Sequence, residues 1–269
     1  MVEAAGEKFS DLKDLCHNWI QKAGLNEISL YMKSDPTSKK IKKFIVKQNP
    51  CLEQFPNMIT HIVDFLFVYD FEDDSKNKVF KRQIIEPKNE TVFDFSNELA
   101  PKLVFLNYND YGYMKIDLSY MNIRDLKNYL LKCKDTLIKV ALNRALFDTF
   151  RDSKISTIEF LDITLELIKK EEDENTFSVL LQYISSAIKG YLPLKYIPEY
   201  KSKFFKILKK ILENQLSLIN YNKEIVKNVL LYINGYAVEN EQKLYLIKLL
   251  NLDSKLISQS SRFSYVQNI

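Results

Sequence analysis

The stretch PKLVFLNYNDYGYMKID, residues 101–117, marks the point at which the sequence changes from strand-like to helical. Its first part, Lys102–Leu106, is a short apolar run of the kind that forms a β-strand. Strand-like patterns continue upstream of it, back to about residue 25. From about Met121 onward, apolar residues recur at helical spacing instead. The chain is therefore predicted to be β first and α afterwards, with the boundary near residue 107.

Six short runs rich in β-branched and aromatic residues make up the strand-like part. They are separated by turns that contain Pro, Asn, Asp and Ser, and they cover residues 27–32, 40–48, 59–71, 79–85, 91–95 and 102–106. Closely spaced short strands with turn residues between them are typical of antiparallel sandwiches. We expect a small antiparallel β-sandwich domain at residues 25–106.

From about Met121 to the end of the sequence, helical periodicity continues with short connections and no intervening strand. Ser156 is a predicted N-cap, and Glu159 would complete a capping box with it. Thr176 is the predicted cap of the next helix. Helices in such a series are typical of an α-helical stack, here an α-α superhelix similar to HEAT repeats. We expect a helical C-terminal domain at 107–269 that is truncated at its end.

One amphipathic helix is predicted ahead of the strands, at residues 7–23. Its apolar face includes Leu15, Trp19 and Ile20, and Gly24 follows it as a predicted C-cap. Because this helix precedes the first strand, residues 1–24 are assigned to a separate unit.

Composition and charge exclude several classes of protein. The formal net charge is only +4, and five of the 39 basic residues are Arg, so a nucleic-acid-binding surface is not indicated. No apolar run is long enough to span a membrane, and the N-terminus has no signal-peptide pattern. The three cysteines are widely spaced and odd in number, which favours free thiols in a reducing compartment. A cytoplasmic protein is expected.

The basic run Lys39–Lys43 has two interpretations. In the first interpretation, the run is recognised by another molecule, as a nuclear signal or as a contact for an anionic partner. Its place at the start of a predicted strand favours the second interpretation, a solvated hairpin edge whose charges discourage strand association.

The sequence offers little material for catalysis. Its two histidines, His17 and His61, begin no His-Glu-x-x-His pattern, whereas a catalytic zinc needs three protein ligands and an open position. With five glycines in the chain, no phosphate-binding loop is found. His61 lies in an apolar run and is predicted to be a core or rim histidine. No catalytic residue, metal ligand or cofactor site is predicted.

Three segments resemble the zinc aminopeptidases of the M1 family. Residues 11–26 resemble the closing helix of that family's catalytic domain. Residues 101–117 resemble the junction at which its β-sandwich ends and its helical C-terminal domain begins. Residues 142–152 resemble an early helix of that domain. The junction is the most specific of the three, because in the family an Asn, an Asp, an aromatic residue and a short strand recur there in this order. Its positions in this sequence are Asn107, Asp110, Tyr111, Gly112 and Tyr113.

The resemblance implies a function for a longer parent protein. The family removes N-terminal residues from peptides with a zinc-activated water, but its Gly-x-Met-Glu-Asn and His-Glu-x-x-His segments are missing here. This chain would therefore be a non-catalytic C-terminal fragment that shapes and encloses the substrate chamber. Zinc and the peptide substrate would belong to the parent. The partner would be the missing catalytic domain in cis, with Leu15, Trp19 and Ile20 as interface candidates.

A second hypothesis comes from another class of protein. The chain could be a non-enzymatic adaptor in which a β-sandwich carries an α-solenoid that binds a protein partner. An adaptor complete in itself would bury the apolar face of residues 7–23, whereas a fragment would leave that face exposed.

Overall fold

The structure, a computed structural model, describes residues 20–257, and of residues 250–257 it describes the backbone alone. Seven β-strands lie between residues 26 and 116, and seven α-helices lie between residues 123 and 257. The predicted order of β followed by α is confirmed. The helix predicted at residues 7–23 lies almost wholly outside the described residues, and so do Leu15 and Trp19.

The strands follow the predicted runs closely, with one addition. Their bounds are β1 Asn26–Ser34, β2 Ile41–Pro50, β3 His61–Val68, β4 Lys78–Ile85, β5 Glu90–Val92, β6 Leu103–Tyr108 and β7 Lys115–Ile116. Periodicity did not predict β7, because two residues are too few to show a period, although the resemblance at residues 101–117 implied a short strand there. Strand pairing thus continues past Leu106, the expected end of the β domain, as far as Ile116.

The strands form two sheets. One has the order β5-β2-β1-β7 and the other the order β4-β3-β6. Every pairing is antiparallel except that of β1 with β7, which is parallel. Lys42 and Lys43 are exposed as expected, but β2 lies between β5 and β1. β5 pairs with β2 only at Ile45–Lys47, but the backbone of the basic run is bonded on the same side to the segment 98–100. The run is therefore solvated, as expected, but it is not a free sheet edge.

Phenylalanine rings from both sheets form the centre of the β region. Phe44 of β2 lies 5.4 Å from Phe67 of β3, centroid to centroid, and 4.9 Å from Phe95. Phe65 is 5.1 Å from Phe93 in an edge-on arrangement. Offset and edge-on ring pairs add to the burial of apolar area. These contacts explain why β3, with rings and branched side chains buried along most of its length, is a nearly continuous apolar run.

A buried polar group accompanies this apolar centre. Asn26, Gln48 and His61 are each at most 3% exposed. The Gln48 amide donates to Asn26 Oδ1 at 2.9 Å, and Asn26 Nδ2 donates to the Asn57 carbonyl at 2.8 Å. His61 Nε2 lies 3.2 Å from Asn26 Oδ1. The prediction that His61 is a core histidine is confirmed.

The seven helices are connected by short segments. Their bounds are α1 Ile123–Leu130, α2 Thr136–Arg151, α3 Thr157–Ile168, α4 Glu174–Gly190, α5 Ile197–Leu216, α6 Lys223–Ile233 and α7 Asn240–Ile257. The chain divides into two compact units between Phe160 and Leu161, inside α3. The first unit contains all strands and the first two helices. The second contains the later helices.

The capping prediction is confirmed at α3 and wrong at α4. Ser156 Oγ accepts from the Glu159 N–H at 3.2 Å, and Glu159 Oε2 accepts from the Ser156 N–H at 3.2 Å, as a capping box requires. Thr176, the predicted cap of α4, is instead buried inside the helix. The cap is Asp173, whose Oδ1 accepts from the Thr176 N–H at 2.8 Å.

Substitution of the α4 cap tests this correction. Asp173→Ala is expected to lower the free energy of unfolding of the helical unit by about 1 kcal/mol, because the Thr176 N–H loses its acceptor. Glu172→Ala, one position earlier and exposed, is the matched control and should change it by less than about 0.5 kcal/mol. Urea titration followed by circular dichroism measures both. Equal effects of the two variants would contradict Asp173 as the cap.

The second unit has its own core. Phe204 of α5 lies 4.7 Å from Tyr236, ring centroid to ring centroid, and both are buried. Ser202 of α5 accepts from the buried Gln242 amide of α7 at 2.8 Å. Both contacts link α5 to the segments after it. Among the helices described, none combines the length and apolar character needed to cross a membrane.

Candidate functional site at the turn between β6 and β7

Asn107 holds the turn after β6 in shape. Its side-chain amide donates to the Gly112 carbonyl at 2.9 Å, and its Oδ1 accepts from the Gly112 N–H at 2.9 Å. The same amide donates to Asp110 Oδ1 at 3.2 Å. Asn107 is 1% exposed, so no water replaces these bonds readily. We call this arrangement the Asn107 bracket.

The backbone inside the bracket needs unusual dihedral angles. Asn109 and Asp110 have φ values of 68° and 54°, in the left-handed region that Asn and Asp tolerate better than other non-glycine residues. The Asp110 N–H donates to the Asn107 carbonyl at 3.0 Å and closes the turn. Asn109 Nδ2 donates to Asp64 Oδ2 at 3.2 Å, which ties the turn to β3.

Gly112 occupies a position that admits no side chain. A Cβ atom there would lie 2.0 Å from Met114 Cε and 2.9 Å from Val63 Cγ1. Met114 could move, but Val63 is buried on β3 and short. The residue type at position 112 is therefore fixed by close packing.

Tyr111 and Tyr113 flank Gly112 and point away from the core. They are 66% and 69% exposed. Gly112 is buried at a bend of the chain, whereas its two neighbours lie on the exposed side. The bracket thus presents two aromatic side chains on a rigid turn.

Ion pairs connect the turn and β7 to helix α2. Arg144 pairs with Asp110, and Lys115 pairs with Asp152. Between these pairs along α2 lies Asp148, whose pKa is raised above its ordinary value chiefly by burial, although Arg151 and Lys115 oppose this. A half-buried carboxyl among cations, where a strand and a helix pack, indicates a structural connection. These contacts join the end of the strand region to the first long helix.

Lys154 makes a second connection just after α2. Its Nζ lies 2.7 Å from Glu27 Oε1 of β1 and 2.8 Å from Asp117 Oδ2. Burial alone would raise the pKa of Asp117, but hydrogen bonds from Lys154 and Ser119 outweigh it and hold the pKa below its ordinary value. Lys154 therefore compensates a carboxylate that is otherwise poorly hydrated.

Removal of this lysine should destabilise the first unit. Lys154→Met is expected to lower the free energy of unfolding by about 2 kcal/mol, since Asp117 would remain buried without its cation. The partial exposure of Lys154 keeps this below the value for a fully buried pair. Lys227→Met, which breaks the exposed pair with Glu224, is the control and should cost less than about 0.5 kcal/mol. Chemical denaturation measures both, and a Lys154→Met loss no larger than the control would contradict the assignment.

The structure brings together some of the predicted site residues and separates others. Asn107, Asp110 and Gly112 form one hydrogen-bonded turn, whereas Tyr111 and Tyr113 face outward. Ile20, an interface candidate, is 82% exposed. Sequence reasoning missed the partners that anchor the turn and the strands beside it, namely Asp64, Arg144 and Lys154. Of these only Asp64 carried a signal, as one of the two acidic residues inside the apolar run 59–71.

The side chains of this site connect the strand region to helix α2. Its carboxylates are bonded to amides or paired with lysine and arginine, so none is placed as a free general base. Elsewhere, burial raises the pKa of the Cys51 and Cys133 thiols, which disfavours the reactive thiolate. Among residues 20–249, whose side chains the structure describes, no group of three or more His, Cys, Asp or Glu could hold a metal ion. The described residues can position and connect segments.

Comparison of the chain with protein-family models gives no match, and comparison with curated proteins gives none either.

Proposed function

We propose that this chain is the C-terminal region of a zinc aminopeptidase of the M1 family. In this proposal the two sheets form the family's small β-sandwich, and the helices are the first part of its α-α superhelix. The active site, with its zinc, lies in the catalytic domain of the parent, in the cytoplasm. This region shapes and encloses the chamber in which a peptide is held, so its contribution is exclusion and positioning.

The Asn107 bracket is the observation that carries the proposal. The resemblance rests on residue types in a fixed order, and the geometry gives a reason for two of those types. At neutral pH the carboxamide at position 107 both donates to and accepts from Gly112, which a carboxylate does not, and a Cβ at position 112 would come too close to Val63. A motif whose residues are required by packing is less easily produced by chance than a matching composition.

The place of the bracket in the chain supports the same proposal. It lies where the last strands end, and its ion pairs lead to α2, the helix that contains most of the resembling segment 142–152. These contacts would hold the first helices in a fixed position against the strands. The wall of the chamber would then begin at a fixed place. The wall must hold its shape while peptides enter and leave.

The adaptor remains a second candidate, and one observation favours it. The connection between α5 and α6 exposes closely spaced apolar side chains, with Ile219 at 99% exposed and Leu216 and Leu218 more than half exposed. A contiguous exposed apolar segment marks a contact with another protein or another domain. In an adaptor this segment would bind the partner protein. In the aminopeptidase it would contact further parts of the parent.

An assay of the native protein tests the proposal. Antibodies raised against residues 20–257 would be used to precipitate the native polypeptide, which is then incubated with aminoacyl fluorogenic substrates. We expect hydrolysis that 1,10-phenanthroline abolishes and zinc restores, because the parent carries the metal. The purified 269-residue chain, given the same substrates and zinc, is the matched control and should be inactive.

Two outcomes would contradict the proposal. Hydrolysis by the purified chain itself would overturn the assignment of a non-catalytic region. A native polypeptide without any zinc-dependent hydrolysis would favour the adaptor.

A further inference from the structure

Three lysines surround one tyrosine on the outer face of the β1–β2 hairpin. The strand register places Lys33 opposite Lys43, Tyr31 opposite Ile45, and Ser29 opposite Lys47. Residues directly opposite each other share one face of a sheet. The opposite face carries Phe44 and the aromatic core. We call Tyr31, Lys33, Lys43, Lys47 and Val92 the lysine face.

The charges of the lysine face are not balanced within the described chain. Lys33 and Lys43 stand directly opposite each other, an arrangement that is unfavourable for like charges. Among the residues that the structure describes, Lys47 alone of the three pairs with a carboxylate, Glu90 at 3.8 Å. By contrast Lys42, next along the basic run, is paired with Asp35. Within the described part of the chain, the sheet thus holds two lysines at opposite register positions, neither of which pairs with a carboxylate.

An apolar centre lies between these charges. Tyr31 is 45% exposed and Val92 is 69% exposed, and both are register partners of the buried Ile45. The ammonium groups of Lys43 and Lys47 lie 5.9 Å and 5.8 Å from the centroid of the Tyr31 ring. The face therefore combines positive charge with exposed apolar area on a rigid sheet.

We infer that the lysine face binds an acidic segment of a partner protein, one that places an apolar side chain among its carboxylates. Carboxylates would relieve the repulsion between Lys33 and Lys43, and the apolar side chain would cover Tyr31 and Val92. This surface is separate from the Asn107 bracket, and the inference holds whether or not the parent is an aminopeptidase.

Two other classes of ligand fit the face less well. Single-stranded nucleic acid is bound by stacking bases on open aromatic rings, and two ammonium groups already lie close to the Tyr31 ring. Lysine also lacks the bidentate geometry with which arginine recognises phosphate. Anionic membranes are recognised by clusters of about four to eight basic residues, more than this face offers.

The test uses the full chain and a fluorescein-labelled peptide of glutamates around one central leucine, with binding followed by fluorescence anisotropy. Lys43→Glu is expected to weaken binding at least about tenfold. Because this substitution sets a carboxylate opposite Lys33, the unfolding midpoint of the variant should equal or exceed that of the wild type, which separates lost binding from lost folding. Lys81→Glu, at an exposed position of β4, makes the same change in net charge. It should alter the affinity less than about twofold.

Two results would overturn the inference. Equal weakening by Lys43→Glu and Lys81→Glu would mean that the peptide senses net charge alone. Tighter binding of oligothymidylate, or of vesicles containing phosphatidylserine, than of the peptide would assign the face to nucleic acid or to membranes.

Discussion

Asn107→Ala is expected to lower the free energy of unfolding of the strand-containing unit by about 4 kcal/mol, the largest effect of a single substitution that we predict. The variant removes both hydrogen bonds to Gly112 and leaves a buried N–H and a buried carbonyl without partners. Each such group costs about 1–3 kcal/mol, and the loss of the bond to Asp110 adds to this. Urea unfolding followed by circular dichroism measures the change.

Two variants sharpen this experiment. Asn49→Ala removes an exposed strand asparagine and should cost less than about 0.5 kcal/mol. Asn107→Asp keeps the shape but replaces the donor with a charged oxygen that faces the Gly112 carbonyl and the Asp110 carboxylate. Its loss should therefore be large at neutral pH and should shrink in acid, where a protonated carboxyl donates again. A cost below about 1 kcal/mol for Asn107→Ala would show that the bracket is not needed.

Acidification should destabilise the same unit through His61, by about 3 kcal/mol between pH 7 and pH 4. Burial lowers the pKa of His61 from 6.5 to about 4. In that window the unfolded chain binds a proton on this imidazole and the folded chain does not. Stability is consequently complete above pH 6.5 and falls as the pH drops toward 4. Carboxylates with depressed pKa, such as Asp117, lose their contribution only at lower pH.

His61→Gln isolates this contribution. The variant lowers stability at pH 7, since it disturbs the contact with Asn26, but its loss between pH 7 and pH 4 should be smaller by about 3 kcal/mol. Unfolding midpoints at a series of pH values measure the two slopes. Parallel slopes for the wild type and the variant would contradict a neutral, buried His61.

Local patterns in the sequence predicted much of this fold because the features concerned are local. Six strands and the long helices follow from periodicity, and the Ser156–Glu159 capping box from a four-residue motif. The sequence does not identify the α4 cap, because Asp173 lies in a run of four acidic residues, 171–174, and Thr176 just after it is also of a type that caps helices. Both residue types cap helices, and only the backbone geometry decides between them.

The connections between distant segments could not be predicted. Lys154 contacts Glu27 across 127 positions of sequence, and Asn109 contacts Asp64 across 45. Ion pairs and amide contacts of this kind have no period, and each member alone looks like an ordinary surface residue. At the site, the order of Asn107, Asp110 and Gly112 could be recognised in the sequence. The roles of Arg144 and Lys154 could be recognised only in the structure.

Sequencing of the native transcript on both sides of the region that encodes residues 1–269 tests the central claim most directly. The account predicts an open reading frame that continues upstream and contains Gly-x-Met-Glu-Asn followed by His-Glu-x-x-His, with further helical sequence downstream. Natural start and stop codons that enclose these residues alone would contradict it.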